Sequence, residues 1–89
     1  MADVGRGPLA VRVLFFGAAK DACGREGAEV PWCAGMRLGD VLGAVAAAYS
    51  GLGPLRGHIR LARNGEFASL DDPVSAGDEV AVIPPVSGG

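Results

Sequence analysis

Lysine occurs once in this chain, at Lys20, histidine once, at His58, and cysteine twice, at Cys23 and Cys33. Two cysteines ten residues apart, with one distant histidine, give neither zinc-ligand spacing nor a Cys-x-x-Cys redox pair, so free thiols and no metal are expected. A cysteine nucleophile activated by His58 would need an adjacency in space that this spacing does not supply. Lysine and arginine together number 8 against 10 acidic residues, for a net charge of −2, so no sequence-wide basic field exists to hold nucleic acid. No apolar run approaches the roughly 20 residues of a membrane span. The opening residues 1–8 lack the apolar core of a signal peptide. Neither nucleic acid nor a membrane is therefore expected as a partner, and the expected compartment is the cytoplasm.

What is present fits one small domain, at 89 residues with 49% apolar and 20% charged. The reading divides it into a flexible N-terminal extension (1–8), a globular domain (9–83) and an extended tail (84–89). Val11-Arg12-Val13-Leu14-Phe15-Phe16 is β-branched and aromatic up to Gly17, a strand with Val11, Val13 and Phe15 on one face. The other face, Arg12, Leu14 and Phe16, is more apolar than a solvated face needs to be. A short helical turn is expected within 18–27. Glu29-Val30-Pro31-Trp32 reads as a second strand that Pro31 confines to a sheet edge.

Leu38, Val41, Leu42, Val45 and Tyr49 recur at helical spacing and predict one buried helix stripe over 38–49. Gly39 and Gly43 each weaken that helix by up to ~1 kcal/mol relative to alanine, so packing must hold it. Ile59 to Arg63 alternates into a third strand, with Asn64-Gly65 as a hairpin turn into Glu66-Phe67. Asp71-Asp72-Pro73 and Ala76-Gly77-Asp78 are further turns before a final strand, Val80 to Ile83. Strands flanking a single helix give an α+β, two-layer domain with one main helix on one face of the sheet.

The chain then closes on Pro84-Pro85-Val86-Ser87-Gly88-Gly89. Pro84 has no N–H and must end the ladder, and Pro84-Pro85 favours stiff extended backbone. Val86 to Gly89 can reach roughly 13 Å, and two residues without Cβ suit a narrow channel. A frayed glycine-rich end is the plain alternative, but this tail follows directly on a buried strand.

The strand ending at Gly17 with Gly24 after it, Tyr49-Ser50-Gly51-Leu52, Asn64-Gly65-Glu66, Gly77-Asp78-Glu79-Val80 and above all Ile83-Pro84-Pro85-Val86-Ser87-Gly88-Gly89 resemble the MoaD/ThiS sulfur-carrier family, most closely its molybdopterin synthase branch. The resemblance implies a β-grasp, ubiquitin-like fold with a mixed sheet. It implies that the Gly89 carboxylate, a poor electrophile, is activated by an ATP-dependent adenylyltransferase as a glycyl adenylate, then converted to a thiocarboxylate. It also implies that the tail enters the large catalytic subunit of a heterotetrameric synthase, where sulfur passes to the cyclic pterin precursor of the molybdenum cofactor. On this reading the chain is no enzyme by itself and binds no permanent cofactor, ATP being used by its partner. Gly89 carries the sulfur, Gly88 gives clearance, and Pro84, Pro85, Val86 and Ser87 position the tail. Alternatives are a ubiquitin-like modifier, a thiamine-type sulfur carrier and a plain interaction module.

If Val80 and Val82 join Val11, Val13 and Phe15 beneath the helix, then Leu14, Phe16, Ala81 and Ile83 share the opposite face and form the partner interface. Asp71, Asp72, Asp78 and Glu79 precede the tail and would complement a basic partner groove.

Overall fold

The structure is a computed structural model and describes residues 9–85. β1 (Ala10–Phe15) leads into α1 (Gly17–Cys23), then β2 (Gly27–Pro31), α2 (Leu38–Ala48), a 3-10 segment (Ser50–His58), β3 (Arg60–Arg63), β4 (Glu66–Ala68) and β5 (Glu79–Ile83). The five strands form one sheet in the order β2-β1-β5-β3-β4. β1 and β5 run parallel, with Leu14 opposite Ala81 and Phe15 opposite Val82, and the other pairings are antiparallel. This mixed sheet under a helical layer is the expected β-grasp.

Period-two alternation decides the two faces. Val11, Val13, Phe15, Val80, Val82 and Leu61 are fully or almost fully buried beneath the helices. Their opposite number in α2 is the expected stripe, with Leu38, Val41, Leu42 and Val45 buried. Each such side chain contributes about 1.5–3 kcal/mol on burial. Tyr49 completes the stripe by standing edge-on to Phe15, ring centroids 5.6 Å apart. No polar or charged side chain is buried among the described residues, so the core has no ionic component to satisfy.

Gly39, a weakness by helix propensity, has a packing reason. A Cβ there would lie 3.3 Å from the Leu70 carbonyl oxygen, which accepts the Gly39 N–H at 2.8 Å. Together with the Leu38 N–H donated to Asp72 O at 2.9 Å, this satisfies two amides that a helix start leaves without partners. Asp40 supplies a further closure by accepting the Arg37 N–H at 2.8 Å.

Three features differ from the expectation. The expected turn after β1 is a seven-residue helix, α1, closed by Gly24 at φ +70°. The second strand begins two residues earlier, at Gly27, and stops at Pro31 on the sheet edge. The 3-10 segment was not anticipated, because Ser-Gly-Leu-Gly-Pro-Leu-Arg-Gly-His has no apolar period and buries only Leu52. It packs against both α1 and α2 and completes the helical layer.

Candidate functional site

The last described residues stand at the end of the sheet's central strand. β5 is hydrogen-bonded on both sides, to β1 and β3, so the point where the tail departs is held from two directions. Phe16, immediately after β1, donates its N–H to Val82 O at 3.3 Å and extends that hold. Pro84 is half-buried, and its Cγ lies 3.4 Å from where a Gly17 Cβ would stand. Gly17 also has φ +51°, a left-handed backbone that favours a residue without a side chain, while the Pro84 contact by itself would leave a Cβ close to ordinary van der Waals distance. Pro85 is exposed. Val86, Ser87, Gly88 and Gly89 lie outside the described residues.

The sheet face away from the helices gathers the other expected site residues. Leu14 and Ala81 lie side by side in register, and Ile83 follows on the same face. The row continues beyond them, because Ala81 is opposite Ala62 and Ala62 opposite Phe67. Phe16, Ala62, Gly65, Phe67, Ala81 and Ile83 line an apolar depression of roughly 410 Å³ beside the tail's exit. Phe16 is 48% exposed and Phe67 59%, so two aromatic rings rim this hollow in water. The Arg60 guanidinium lies over the Phe67 ring, 4.0 Å from its centroid, and orients it. Phe16 is thus a surface residue rather than a core one.

Ala62, Gly65 and Phe67 were not among the residues expected at this surface. The signal was available: a two-residue Asn64-Gly65 turn fixes Ala62 opposite Phe67 once the hairpin register is drawn. Asn64 at φ +51° and Gly65 at φ +90° are both left-handed, as that turn requires.

Two of the four acidic residues ahead of the tail, Asp72 and Asp78, use their carboxylates to brace turns. Asp72 accepts the Ser69 N–H at 2.9 Å and Asp78 the Ser75 N–H at 2.8 Å. Asn64 joins the hairpin to β5, donating Nδ2–H to Asp78 Oδ1 at 3.0 Å and accepting the Glu79 N–H at 2.9 Å. These bonds hold the Asp78 carboxyl below its usual range, the Asn64 amide first, then the Ser75 amide, with the Arg63 charge a smaller contribution. A folded-state value below the unfolded one gives stability that is complete above the ordinary aspartate range and is lost as pH falls through it. Asp78→Asn is therefore expected to lower the melting temperature at pH 7 and to match the parent progressively as pH drops from about 5 to below the ordinary value. Melting curves across that range check it, and a gap that widens on acidification would contradict it.

Neither cysteine forms a disulfide, and burial pushes the Cys23 thiol up, away from the thiolate a nucleophile requires. His58 is exposed at the end of the 3-10 segment. Among the described residues no group of three metal-ligating side chains occurs, and no helix is long and apolar enough to cross a membrane.

Small archaeal modifier protein 1 of Haloferax volcanii is 45% identical over an alignment 60 residues long that covers 58% of this chain and 69% of that one. Its crystal structure superposes with a TM-score of 0.81 over 90% of this chain and 99% of that one, at 32% identity over this longer span. The molybdopterin synthase sulfur carrier subunit of Mycobacterium tuberculosis is 36% identical over 84 residues, 91% of this chain and 99% of that one. A structure of the complex of subunits 1 and 2 of the molybdopterin-converting factor from Helicobacter pylori contains a similar chain, with a TM-score of 0.65, 28% identity, and coverage of 91% of this chain and 100% of that one. Residues 13–89, from β1 through the glycine pair, match the ThiS family, and the chain belongs to that ThiS/MoaD family.

Proposed function

We propose that this protein is the sulfur carrier subunit of a molybdopterin synthase, with Gly89 as the residue that carries sulfur. The observation that carries the reading is the tail's origin. A doubly hydrogen-bonded central strand ends in Pro84-Pro85 beside an exposed apolar hollow, and the family match runs on through Gly88-Gly89. A rigid exit next to a sticky surface suits a chain that docks by its sheet face while its end enters a partner's active site.

The chemistry follows from the end group. An ionised carboxylate resists nucleophilic attack because its charge is delocalised and oxide is a poor leaving group. Transfer of an adenylyl group from ATP by an activating enzyme turns one carboxylate oxygen into a phosphate-linked leaving group, and sulfur displaces AMP. The resulting thiocarboxylate donates sulfur to the cyclic pterin precursor in the large subunit. This chain's own part is to present Gly89, to keep Gly88 without a side chain in the channel, and to set the direction with Pro84, Pro85, Val86 and Ser87. It supplies neither acid nor base and holds no resident cofactor. The relatives that are molybdopterin synthase subunits, together with the neighbour solved as a complex of two converting-factor subunits, support this reading and its partner. The proposed compartment is the cytoplasm, where that cofactor chemistry has its ATP.

The apolar hollow gives the partner surface. Leu14, Phe16, Ala81 and Ile83, with Ala62 and Phe67, are proposed to lie against the large subunit. Phe16→Asp should leave the fold intact, since the ring is about half exposed, and weaken association by at least tenfold because a charge is then desolvated without a partner. Titration calorimetry with the large subunit checks this, and global unfolding of the variant would place Phe16 in the core instead.

A second reading, a ubiquitin-like modifier, is favoured by the similarity to the small archaeal modifier protein. Intact mass separates the two. Cells making the molybdenum cofactor should contain a form heavier by one oxygen-to-sulfur replacement at Gly89, whereas a modifier should appear in isopeptide-linked conjugates with other proteins.

A further inference from the structure

Asn64 is the chain's only asparagine, there is no glutamine, and glycine follows it at Gly65. Asparagine before glycine is the pair most prone to cyclise, because the next backbone nitrogen has no neighbouring side chain to shield it. Both residues are exposed, and a Cβ at Gly65 would meet nothing within 4 Å, so water has access to the turn. The fold nevertheless holds the Asn64 carboxamide by both of its polar atoms. Its Nδ2–H is donated to Asp78 Oδ1 at 3.0 Å, and its Oδ1 accepts the Glu79 N–H at 2.9 Å. The Asn64 backbone N–H is donated to Glu79 O at 2.8 Å, so this one residue ties the β3–β4 turn to the start of β5. Asp78 is itself fixed by accepting the Ser75 N–H at 2.8 Å, and its carboxyl, held below the usual range, is an anion at neutral pH.

We propose that Asn64 is a self-modifying site at which the Gly65 nitrogen displaces ammonia, that the Asp78–Glu79 clamp sets the rate, and that the product unfastens the β3–β4 hairpin from β5. In the first step the Gly65 amide gives its proton to hydroxide, and its nitrogen attacks Asn64 Cγ. A C–N bond forms and the Cγ–Nδ2 bond breaks. Nδ2 takes a proton from water and leaves as ammonia, and a five-membered succinimide remains. Water then opens the ring at either carbonyl, giving aspartate or, where the chain now runs through the side-chain carbonyl, isoaspartate. The sum is asparagine and water to aspartate and ammonia, with no oxidant or reductant. The attack turns Cγ onto the Gly65 nitrogen, so both carboxamide hydrogen bonds must open first, and the clamp slows the reaction by keeping them closed. In the product, aspartate has lost the Nδ2–H donor and sets a second carboxylate where the amide now stands, 3.0 Å from Asp78 Oδ1. Like charges so close repel. Isoaspartate instead adds a main-chain carbon to a two-residue turn whose length fixes Arg63 opposite Glu66 and Ala62 opposite Phe67. Either product loosens the Phe67 rim of the apolar hollow.

The test follows the intact mass of the full chain in warm, mildly alkaline buffer. With no other carboxamide side chain in the sequence, a gain of one mass unit reports Asn64 alone. The folded parent should gain it slowly, and the same chain in guanidinium chloride at the same pH at least tenfold faster. Asp78→Ala, held below its own melting temperature, should react severalfold faster than the folded parent. Asn64→Asp, which makes one product directly, should melt several degrees below the parent at neutral pH. Its amide hydrogen exchange should quicken in β4 and at the start of β5 and stay unchanged in β1 and β2. Equal rates in the folded and denatured parent, no acceleration in folded Asp78→Ala, or Asn64→Asp matching the parent in melting and exchange would each overturn the proposal. The denatured arm and Asn64→Asp leave Asp78 in place, so they decide the matter even where Asp78→Ala fails to fold.

Discussion

A variant of this protein extended by one alanine beyond Gly89 is expected to lose sulfur transfer by at least two orders of magnitude while melting with the parent. The extension moves the reactive carboxyl by up to roughly 3.5 Å and leaves an unreactive peptide carbonyl where the adenylate must form. Misplacement of a reacting group by about 1 Å already lowers rates on the order of a hundredfold. Deleting Gly89 should fail equally, from the opposite direction. Gly88→Ala should be harmful in proportion to how closely the channel grips the backbone, since its methyl group projects into whatever approaches. These changes lie beyond the core formed by β1, β5 and α2, so melting temperature and partner binding should persist. The measurement is sulfur transfer to the cyclic pterin precursor by each activated variant mixed with the large subunit, beside a melting curve. An alanine-extended chain that escapes trimming and still transfers at the parent rate would end the thiocarboxylate assignment.

Gly51→Ala should destabilise the domain by about 2 kcal/mol, within the ~1–3 kcal/mol typical of an overpacked contact. A Cβ at this position would stand 2.6 Å from the Ala22 carbonyl oxygen and 3.3 Å from its carbon. Both neighbours are backbone, so no side-chain rotation relieves the clash, and the 3-10 segment must part from α1. Leu52, fully buried next in sequence, would be drawn out with it. A loss of this size lowers the melting temperature of such a small domain by roughly 8–16 °C. Gly53 provides the control. A Cβ there meets nothing within 4 Å, so Gly53→Ala should be neutral or slightly stabilising through the unfolded chain's reduced freedom. Equal melting temperatures for the two variants would show that the α1 contact yields without loss.

Much of this architecture is legible in the sequence. Val11, Val13 and Phe15 alternate, Leu38 to Tyr49 keep a helical period, Asn64-Gly65 demands a two-residue turn, and Pro31 cannot occupy a sheet interior. Each is a local pattern with a single structural solution. The 3-10 segment escaped because its order is tertiary: Gly51 lies against Ala22, Leu52 is buried, and the intervening glycines and Pro54 read as loop. Gly39 looked like a defect until the Leu70 carbonyl was seen to need its space. At the site, the face holding Leu14, Phe16, Ala81 and Ile83 followed from alternation alone. Phe67 is set opposite Ala62 by the hairpin turn, but its place beside Ala81 depends on β3 pairing with β5, a matter of strand order rather than of period.

The parallel pairing of β1 with β5 has a mechanical consequence. Leu9 precedes one of these strands and Pro84-Pro85 follow the other, so tension applied through the two ends of the domain runs along both strands in opposite directions. The evenly spaced hydrogen bonds of a parallel ladder are then loaded together in shear, whereas a hairpin pulled at its open end gives way one rung at a time. On the function proposed above, a carrier drawn by its tail out of one enzyme's channel before entering the next would be clamped at the strand that bears the pull, and the domain would be extracted without being unravelled.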